Sequence, residues 1–313
     1  MSQFTSTTEV DPAVGIVYDR VLLMAPQPKY IYQKYAEKRS IGTKQGNTIK
    51  FRRYSRLSAA TTPLSEGITP TGSKIAKVDL TATVSQYGDF VTLTDVVQLT
   101  VEDDVVSKTM ELQNDQVNNT MDQLCRDYIC ASASSTTCSN GSGTATLLND
   151  TDINAVVQTL RANDCDYMFD RVSASQGVGT APVRSSYVGL ADTDLENDLR
   201  ALGSFLDVVE YSNTAGVEET EFGNTGSVRW LTSTGGYVSS TSYYSPIMGR
   251  DSANLPYAMI DLGGGNLRGI MEEAGSAGSA DPLHQRSTIG WKSWAAFRIL
   301  QDLYIHVLIS TNG

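Results

Sequence analysis

Residues 42–78 constrain the fold of this chain more than any other stretch. Gly42, Gly46, Pro63, Gly67, Pro70 and Gly72 punctuate it, and such residues mark turns rather than element interiors. Ile49 and Phe51 alternate with Lys50 and Arg52, the period of one strand of a ribbon. A second strand is expected to begin near Lys74. Ordering a residue costs about 1–2 kcal/mol, yet the large apolar side chains from 50 to 78 are only Phe51, Tyr54, Leu57, Leu64, Ile68, Ile75 and Val78. So sparse a set cannot build a core of its own. The segment is expected to lie on another surface, and a chain that commits so much of itself to an extended arm is built to hold neighbouring copies.

The rest of the chain reads as a mixture of helices and sheets. Residues 1–15 look like an arm, and Val17, Val21 and Met24 recur at helical spacing before Pro26 and Pro28 stop the helix. Tyr30, Ile31, Tyr32 and Tyr35 would dock on something apolar. Val78, Leu80, Ala82 and Val84 share one strand face, Gly88 permits a bend or bulge, and Val91 and Leu93 continue the apolar line. A helix of about 101–133 is predicted next, with Thr100 as N-cap and Glu102, Asp103 and Asp104 at its positive end. Val105, Leu112, Val117, Met121, Leu124 and Tyr128 form its expected core stripe. At about 1.5 Å per residue this helix would be a beam of roughly 45 Å.

Residues 131–149 are a polar connection. Thr151 is the expected cap of a second helix with Ile153, Val156, Val157 and Leu160 inward, and Asp192 or Thr193 caps another carrying Leu195, Leu199 and Leu202. Short strands and glycine-rich turns follow at 212–227 and 232–242, and residues 212–242 read as surface decoration or an attachment point. Ala295, Phe297 and Ile299 alternate, as do Leu303, Ile305, Val307 and Ile309, which predicts a terminal antiparallel pair. Trp291, Trp294 and Phe297 are the packing candidates there.

No residue cluster has the spacing of a reaction centre. Gly263-Gly-Gly265 lacks the following Lys and Ser/Thr of a phosphate cradle. Glu218, Glu219 and Glu221 read as a solvated acidic loop, with a divalent-ion site as the alternative. His284 sits in a turn-like segment, and His306 alternates with apolar residues. The four cysteines, Cys125, Cys130, Cys138 and Cys165, show no zinc spacing; they are expected to be buried and reduced, with a Cys138–Cys165 or Cys130–Cys138 disulfide left open. No metal and no cofactor is expected. No apolar run reaches membrane-spanning length, and the N-terminus lacks the pattern of a signal peptide. The formal charge of −11 disfavours grip on a phosphate backbone. Lys50, Arg52, Arg53 and Arg56 form the densest basic patch, read as a strand face meeting acidic neighbours, with a nucleic-acid groove as the alternative.

Several segments carry a resemblance in order and spacing. They are Gly46–Arg53 (GNTIKFRR), Leu64–Gly67 with Pro70 and Gly72, Ser85–Asp95 (SQYGDFVTLTD), Asp281–Leu283 with Gln285 and Arg286, and Gly290–Trp294 with Ala295, Ala296 and Ile299. From about residue 15 to 310 the chain resembles the major capsid proteins of tailed bacteriophages, in the podophage coat-protein family. The resemblance implies an α+β HK97-like capsid fold. Its parts would be an N-terminal arm with a short helix (1–41), an extended loop (42–78), a peripheral domain with a long spine helix (79–148), a mainly axial domain (149–280) and C-terminal return strands (281–313). It implies a non-enzymatic shell protein whose partners are copies of itself, in hexamers and pentamers around double-stranded DNA held without sequence-specific contacts. A separate scaffolding protein, a portal and, in some members, a decoration protein complete the set; no membrane is involved. The shell would be assembled in the host cytoplasm. Inter-subunit contacts are expected from Phe51, Arg52, Arg53, Tyr54, Arg56, Leu57, Leu64, Glu66 and Ile68. Lys50, Lys74 and Lys77 lie near the loop, but no crosslinking partner is visible.

Two other classes compete. A cellular encapsulin-like nanocompartment would share the fold and differ in cargo. An α+β hydrolase or metal enzyme would need a pocket with converging polar groups, for which two distant histidines are poor material.

Overall fold

A computed structural model describes residues 28–100, 104–139, 144–171, 183–211, 216–251, 254–263, 267–276, 278 and 281–313. The expected arm and the helix before Pro26 lie outside the described residues, as do Glu102, Asp103 and part of the 263–265 glycine run. In chain order the first strands are β1 (Glu37–Ile41), β2 (Thr48–Tyr54), β3 (Lys77–Thr83) and β4 (Ser85–Thr94), then α1 (Asp95–Thr100), α2 (Val105–Ser132), β5 (Ser134–Thr137) and α3 (Asp150–Ala162). There follow β6 (Tyr187–Asp192), α4 (Glu196–Arg200), β7 (Phe205–Asp207), β8 (Glu221–Thr225), β9 (Val228–Ser233), β10 (Tyr237–Ser239) and β11 (Ser242–Met248). The last strands are β12 (Tyr257–Leu262), β13 (Arg268–Glu272), β14 (Arg286–Ile299) and β15 (Ile305–Ser310).

Strand β14 organises the first sheet. Its odd-numbered side chains from Ser287 to Ala295 are all buried, and Val117 and Met121 of α2 pack on Trp291 and Ala295. Its opposite face receives the root of the β2–β3 hairpin, where Ala82, Val84, Ile49 and Phe51 meet Ala258, Ile260 and Ala296. The sheet order is β1-β12-β14-β13, with β4 antiparallel along the other edge of β14. The β4 register runs without a break from Ser85↔Ala295 to Thr94↔Arg286, so Gly88 makes no bulge. It serves close approach: a Cβ there would lie 2.6 Å from the Trp291 carbonyl oxygen.

Helix α2 begins later than its sequence indicates. Asp104, not Thr100, is the N-cap, its carboxylate accepting from the Ser107 N–H, while Thr100 ends α1 and donates to the Val96 carbonyl. At about 1.5 Å per residue its 28 residues span roughly 42 Å. The buried line is Gln113, Val117, Met121, Cys125 and Ile129 at a four-residue step, with Asp122 and Cys130 buried beside it. Leu112, expected in the core, is 53% exposed, because it sits about 100° around the helix from Gln113. Val105, Leu124 and Tyr128 are half-buried. The Gln113 amide keeps its buried place by donating to the Ile289 carbonyl at 2.6 Å, a partner invisible in a hydrophobicity pattern.

The second sheet has the order β5-β15-β11-β6-β9-β8-β7, with β10 beside β11. Both faces are covered, which is why all six residues of β6 are buried. On one side α3, α4 and the turn before α4 supply Ile153, Val156, Val157, Leu160, Leu195 and Leu199 against Trp230 and Leu308. On the other, the C-terminal half of α2 brings Cys125 and Ile129, joined by Ile31, Tyr32 and Tyr35. The α3 cap is Asn149 rather than Thr151, accepting from Asp152 N–H at 2.8 Å; Asp192 accepts from Asp194 N–H at the turn before α4.

Two expectations fail here for one reason. The terminal alternating segments do not pair with each other: β14 ends at Ile299 in the first sheet, and β15 enters the second between β11 and β5. Alternation identifies a strand but not its neighbour. Likewise, residues 212–242 are not surface decoration, since their described part contains β8 and β9, two largely buried strands of the second sheet.

Candidate assembly interface

The β2–β3 hairpin projects from the first sheet. Seven cross-strand pairs, from Thr48↔Thr83 to Tyr54↔Lys77, set its register, so the second strand starts at Lys77 rather than Lys74. Asp79 locks the pairing. Its carboxylate accepts from Arg52 Nε at 2.9 Å and lies 3.0 Å from Lys50 Nζ, with Lys77 at 3.8 Å. Hydrogen bonds from Arg52 and then Lys50 hold the Asp79 carboxyl at about 2.

Beyond Tyr54 the strands part. Ser55 N–H closes on the Ala76 carbonyl at 2.9 Å, and residues 56–75 run without regular structure. Leu57, Leu64, Ile68 and Ile75 are 54%, 78%, 70% and 72% exposed, and Tyr54 and Glu66 are exposed too. Phe51 turns inward, to the root of the hairpin, and Arg53 on the same strand face donates to the Leu300 carbonyl at 3.4 Å. Arg53 reaches Asp302 at 3.4 Å and Arg56 reaches Asp164 at 2.9 Å, so charged side chains steer the ribbon while its apolar ones stay uncovered.

A second uncovered surface lies at the far end of the first sheet. A groove of about 340 Å³ runs between α2 and β13, lined by Met110, Val117, Leu267, Ile270, Met271 and Trp291. Every residue of β13 is exposed. Sequence reading missed this surface, because the only large apolar residues of β13 are the adjacent Ile270 and Met271, which give no alternation. Trp291 is buried and donates to Gln116 Oε1 at 2.9 Å. Trp294 is half-buried beneath the cations of Arg268 and Lys292, and Phe297 is half-buried against Met121 and its neighbours.

Buried polar groups serve the frame. Asp122 on α2 accepts from Gln33 N–H at 2.9 Å; burial pushes its carboxyl up to about 6, against the lowering by the backbone N–H groups of Gln33, Tyr32 and Ile31. Glu221 is not in a solvated loop: its carboxylate is fully buried, 2.7 Å from Arg229 Nε and 2.9 Å from the Tyr211 hydroxyl. Glu218 and Glu219 pair with Lys34 and Lys29. Among the described residues no group of three or more His, Cys, Asp or Glu could hold a metal ion. All four cysteines are buried free thiols, so neither disulfide left open is formed. His306 shares a 2.6 Å hydrogen bond with Thr136 Oγ1. No described helix is long and apolar enough to cross a membrane.

A long helix laid across a sheet, a projecting hairpin and a second sheet covered by helices together make an α+β fold of the HK97-like class. The capsid of Ralstonia phage GP4 is similar over 100% of this chain and 99% of its own, with a TM-score of 0.67 at 11% identity. The head structure of Helicobacter pylori bacteriophage KHP40 gives 0.67 at 11%, covering 99% of each chain. The capsid of cyanophage P-SCSP1u gives 0.66 at 13%, covering 96% of this chain and 94% of that one. No curated protein sequence matches. Residues 77–305 match the phage capsid protein family, and the chain belongs to it. It is a major capsid protein, with a structural role in forming the phage shell.

Proposed function

We propose that this capsid protein assembles as hexamers and pentamers into a closed icosahedral lattice around double-stranded DNA, with residues 55–76 of each copy lying across a neighbour. The carrying observation is the ribbon tip, whose Leu57, Leu64, Ile68 and Ile75 side chains are more than half exposed among the described residues. Ordering such a tip becomes favourable only on a second surface. The sheet centred on β14, with α2 as spine, serves as the peripheral domain, and the sheet containing β6 and β9 as the axial domain. Residues 257–272 therefore act with the peripheral domain although they follow most axial strands in sequence.

A net charge of −11 suits a wall that does not grip its genome, so the DNA is held without sequence-specific contacts. A separate scaffolding protein and a portal complete assembly in the host cytoplasm, and a decoration protein is a further partner for the outer face. Deleting residues 57–72 tests the central step. The variant is expected to keep the far-ultraviolet circular dichroism of a folded subunit and to form no shells by negative-stain imaging; wild-type shells from it would refute the role given to the ribbon.

A further inference from the structure

The cations of the hairpin are matched unequally on its two faces. On the outer face Lys50, Arg52 and Lys77 share the Asp79 carboxylate. On the inner face Arg53 turns to the body, where its Nη1 lies 3.4 Å from both the Leu300 carbonyl oxygen and Asp302 Oδ1. Both contacts are longer than the about 2.7–3.2 Å of a well-made N–H···O bond, and Asp302 is itself 65% exposed.

A pocket of about 240 Å³ separates hairpin from body at this point. Arg53, Val78 and Leu80 line it from the hairpin, and Tyr128, Ser132 and Arg298 from α2 and β14. Arg298 is a second poorly matched cation. Its Nε is buried without a hydrogen-bond partner among the described residues, and its Nη1 donates to the Tyr128 hydroxyl oxygen only at 3.4 Å. No described carboxylate pairs with its guanidinium; Asp127, the other carboxylate nearby, is taken by Arg126 at 2.7 Å. A guanidinium drawn out of bulk water without its counter-charge is costly, and a second cation on the same pocket adds repulsion.

We propose that this pocket binds a phosphate-class oxyanion that bridges Arg53 of the hairpin and Arg298 of β14. Its donors are two guanidinium groups and two hydroxyls. Tyr128 accepts from Arg298 and so keeps its own hydrogen to give, and Ser132 supplies the other hydroxyl. Donors on four separate residues suit a tetrahedral anion, whereas a flat carboxylate is served by a single guanidinium fork. Because one cation belongs to the hairpin and the other to the sheet beneath it, the bound anion ties the root of the hairpin to the body and fixes the direction in which the ribbon leaves. Inorganic phosphate and a nucleic-acid backbone offer the same chemistry, and the experiment separates them.

Isothermal titration of the full-length, unassembled subunit with inorganic phosphate at low ionic strength should show one saturable site. Arg298→Gln should weaken it at least about tenfold and Tyr128→Phe several-fold, while Arg250→Gln, outside the pocket, should leave it unchanged. Circular dichroism verifies folding. Should Arg298→Gln not fold, Arg298→Lys, which keeps the charge and loses the fork, should bind with intermediate strength. Phosphate should also slow hydrogen exchange of the β2 and β3 amides in the wild type and not in Arg298→Gln. A short DNA duplex that displaces phosphate, with the same dependence on Arg298, identifies the nucleic-acid backbone as the source; a duplex that does not compete leaves free phosphate as the ligand. Absence of saturable binding, or an Arg298 variant that binds as the wild type does, overturns the site. Binding with unchanged exchange in the hairpin overturns the bridge. None of these readouts requires a shell, so the ribbon's role in assembly stands or falls separately.

Discussion

Breaking the buried ion pair in the second sheet offers the sharpest energetic test. Arg229 is fully buried on β9, its Nε 2.7 Å from Glu221 Oε1, its Nη2 3.0 Å from the Gly216 carbonyl and its guanidinium 4.6 Å over the Phe169 ring. Glu221 also accepts from the Tyr211 hydroxyl and the Glu218 N–H. Arg229→Met keeps most of the volume but strands a carboxylate that no water reaches. Removing one partner of such a pair costs about 3–5 kcal/mol, whereas replacing both by apolar groups is often neutral. Arg229→Met should therefore lower the urea midpoint of the unassembled subunit by that amount, divided by the m-value. Adding Glu221→Leu should recover part of the loss, though the Tyr211 hydroxyl then loses its acceptor, worth about 1–3 kcal/mol. A single variant within about 1 kcal/mol of wild type, or a double variant clearly less stable than the single, would refute the reasoning.

Two further measurements probe the spine. Met121→Ala should cost about 2–5 kcal/mol in denaturant unfolding, while Leu112→Ser should stay within about 0.5 kcal/mol; equal costs would mean that the buried line of α2 is misassigned. Asp122 has its folded pKa raised from 3.8 to about 6, first by burial, so the folded chain binds its proton more tightly than the unfolded one. Stability from this group therefore rises as pH falls through about 6 towards 4, by up to roughly 3 kcal/mol. Asp122→Asn should abolish that slope when the two proteins are compared by denaturant midpoint from pH 7 to pH 4.5. A parallel pH dependence in both would exclude Asp122 as its source.

Much of the frame was legible in the residues. Alternation at Ile49 and Phe51 and at Leu80 and Ala82 marked the two hairpin strands, and Ile153, Val156, Val157 and Leu160 declared the buried face of α3. The spine was legible as a helix but not in its rotation: its buried line passes through Gln113 and Asp122, polar residues made tolerable by a carbonyl from β14 and by backbone N–H groups near residue 33. Thr100 was the expected cap and Asp104 a first-turn acid, although both residue types can satisfy free N–H groups. What decided between them is that Thr100 is taken up as the last residue of α1.

What the order of residues determined alone was local: where strands and helices run, where the chain must turn, and that residues 42–78 lack the apolar side chains to cover themselves. Tertiary structure decided partnership. It sent β14 and β15 to different sheets, buried Glu221 beside Arg229, and set the root of the hairpin and the α2–β13 groove towards opposite ends of β14. Periodicity is a property of a segment, whereas burial and pairing depend on which distant segment arrives opposite it, and a one-dimensional pattern holds no term for that distance.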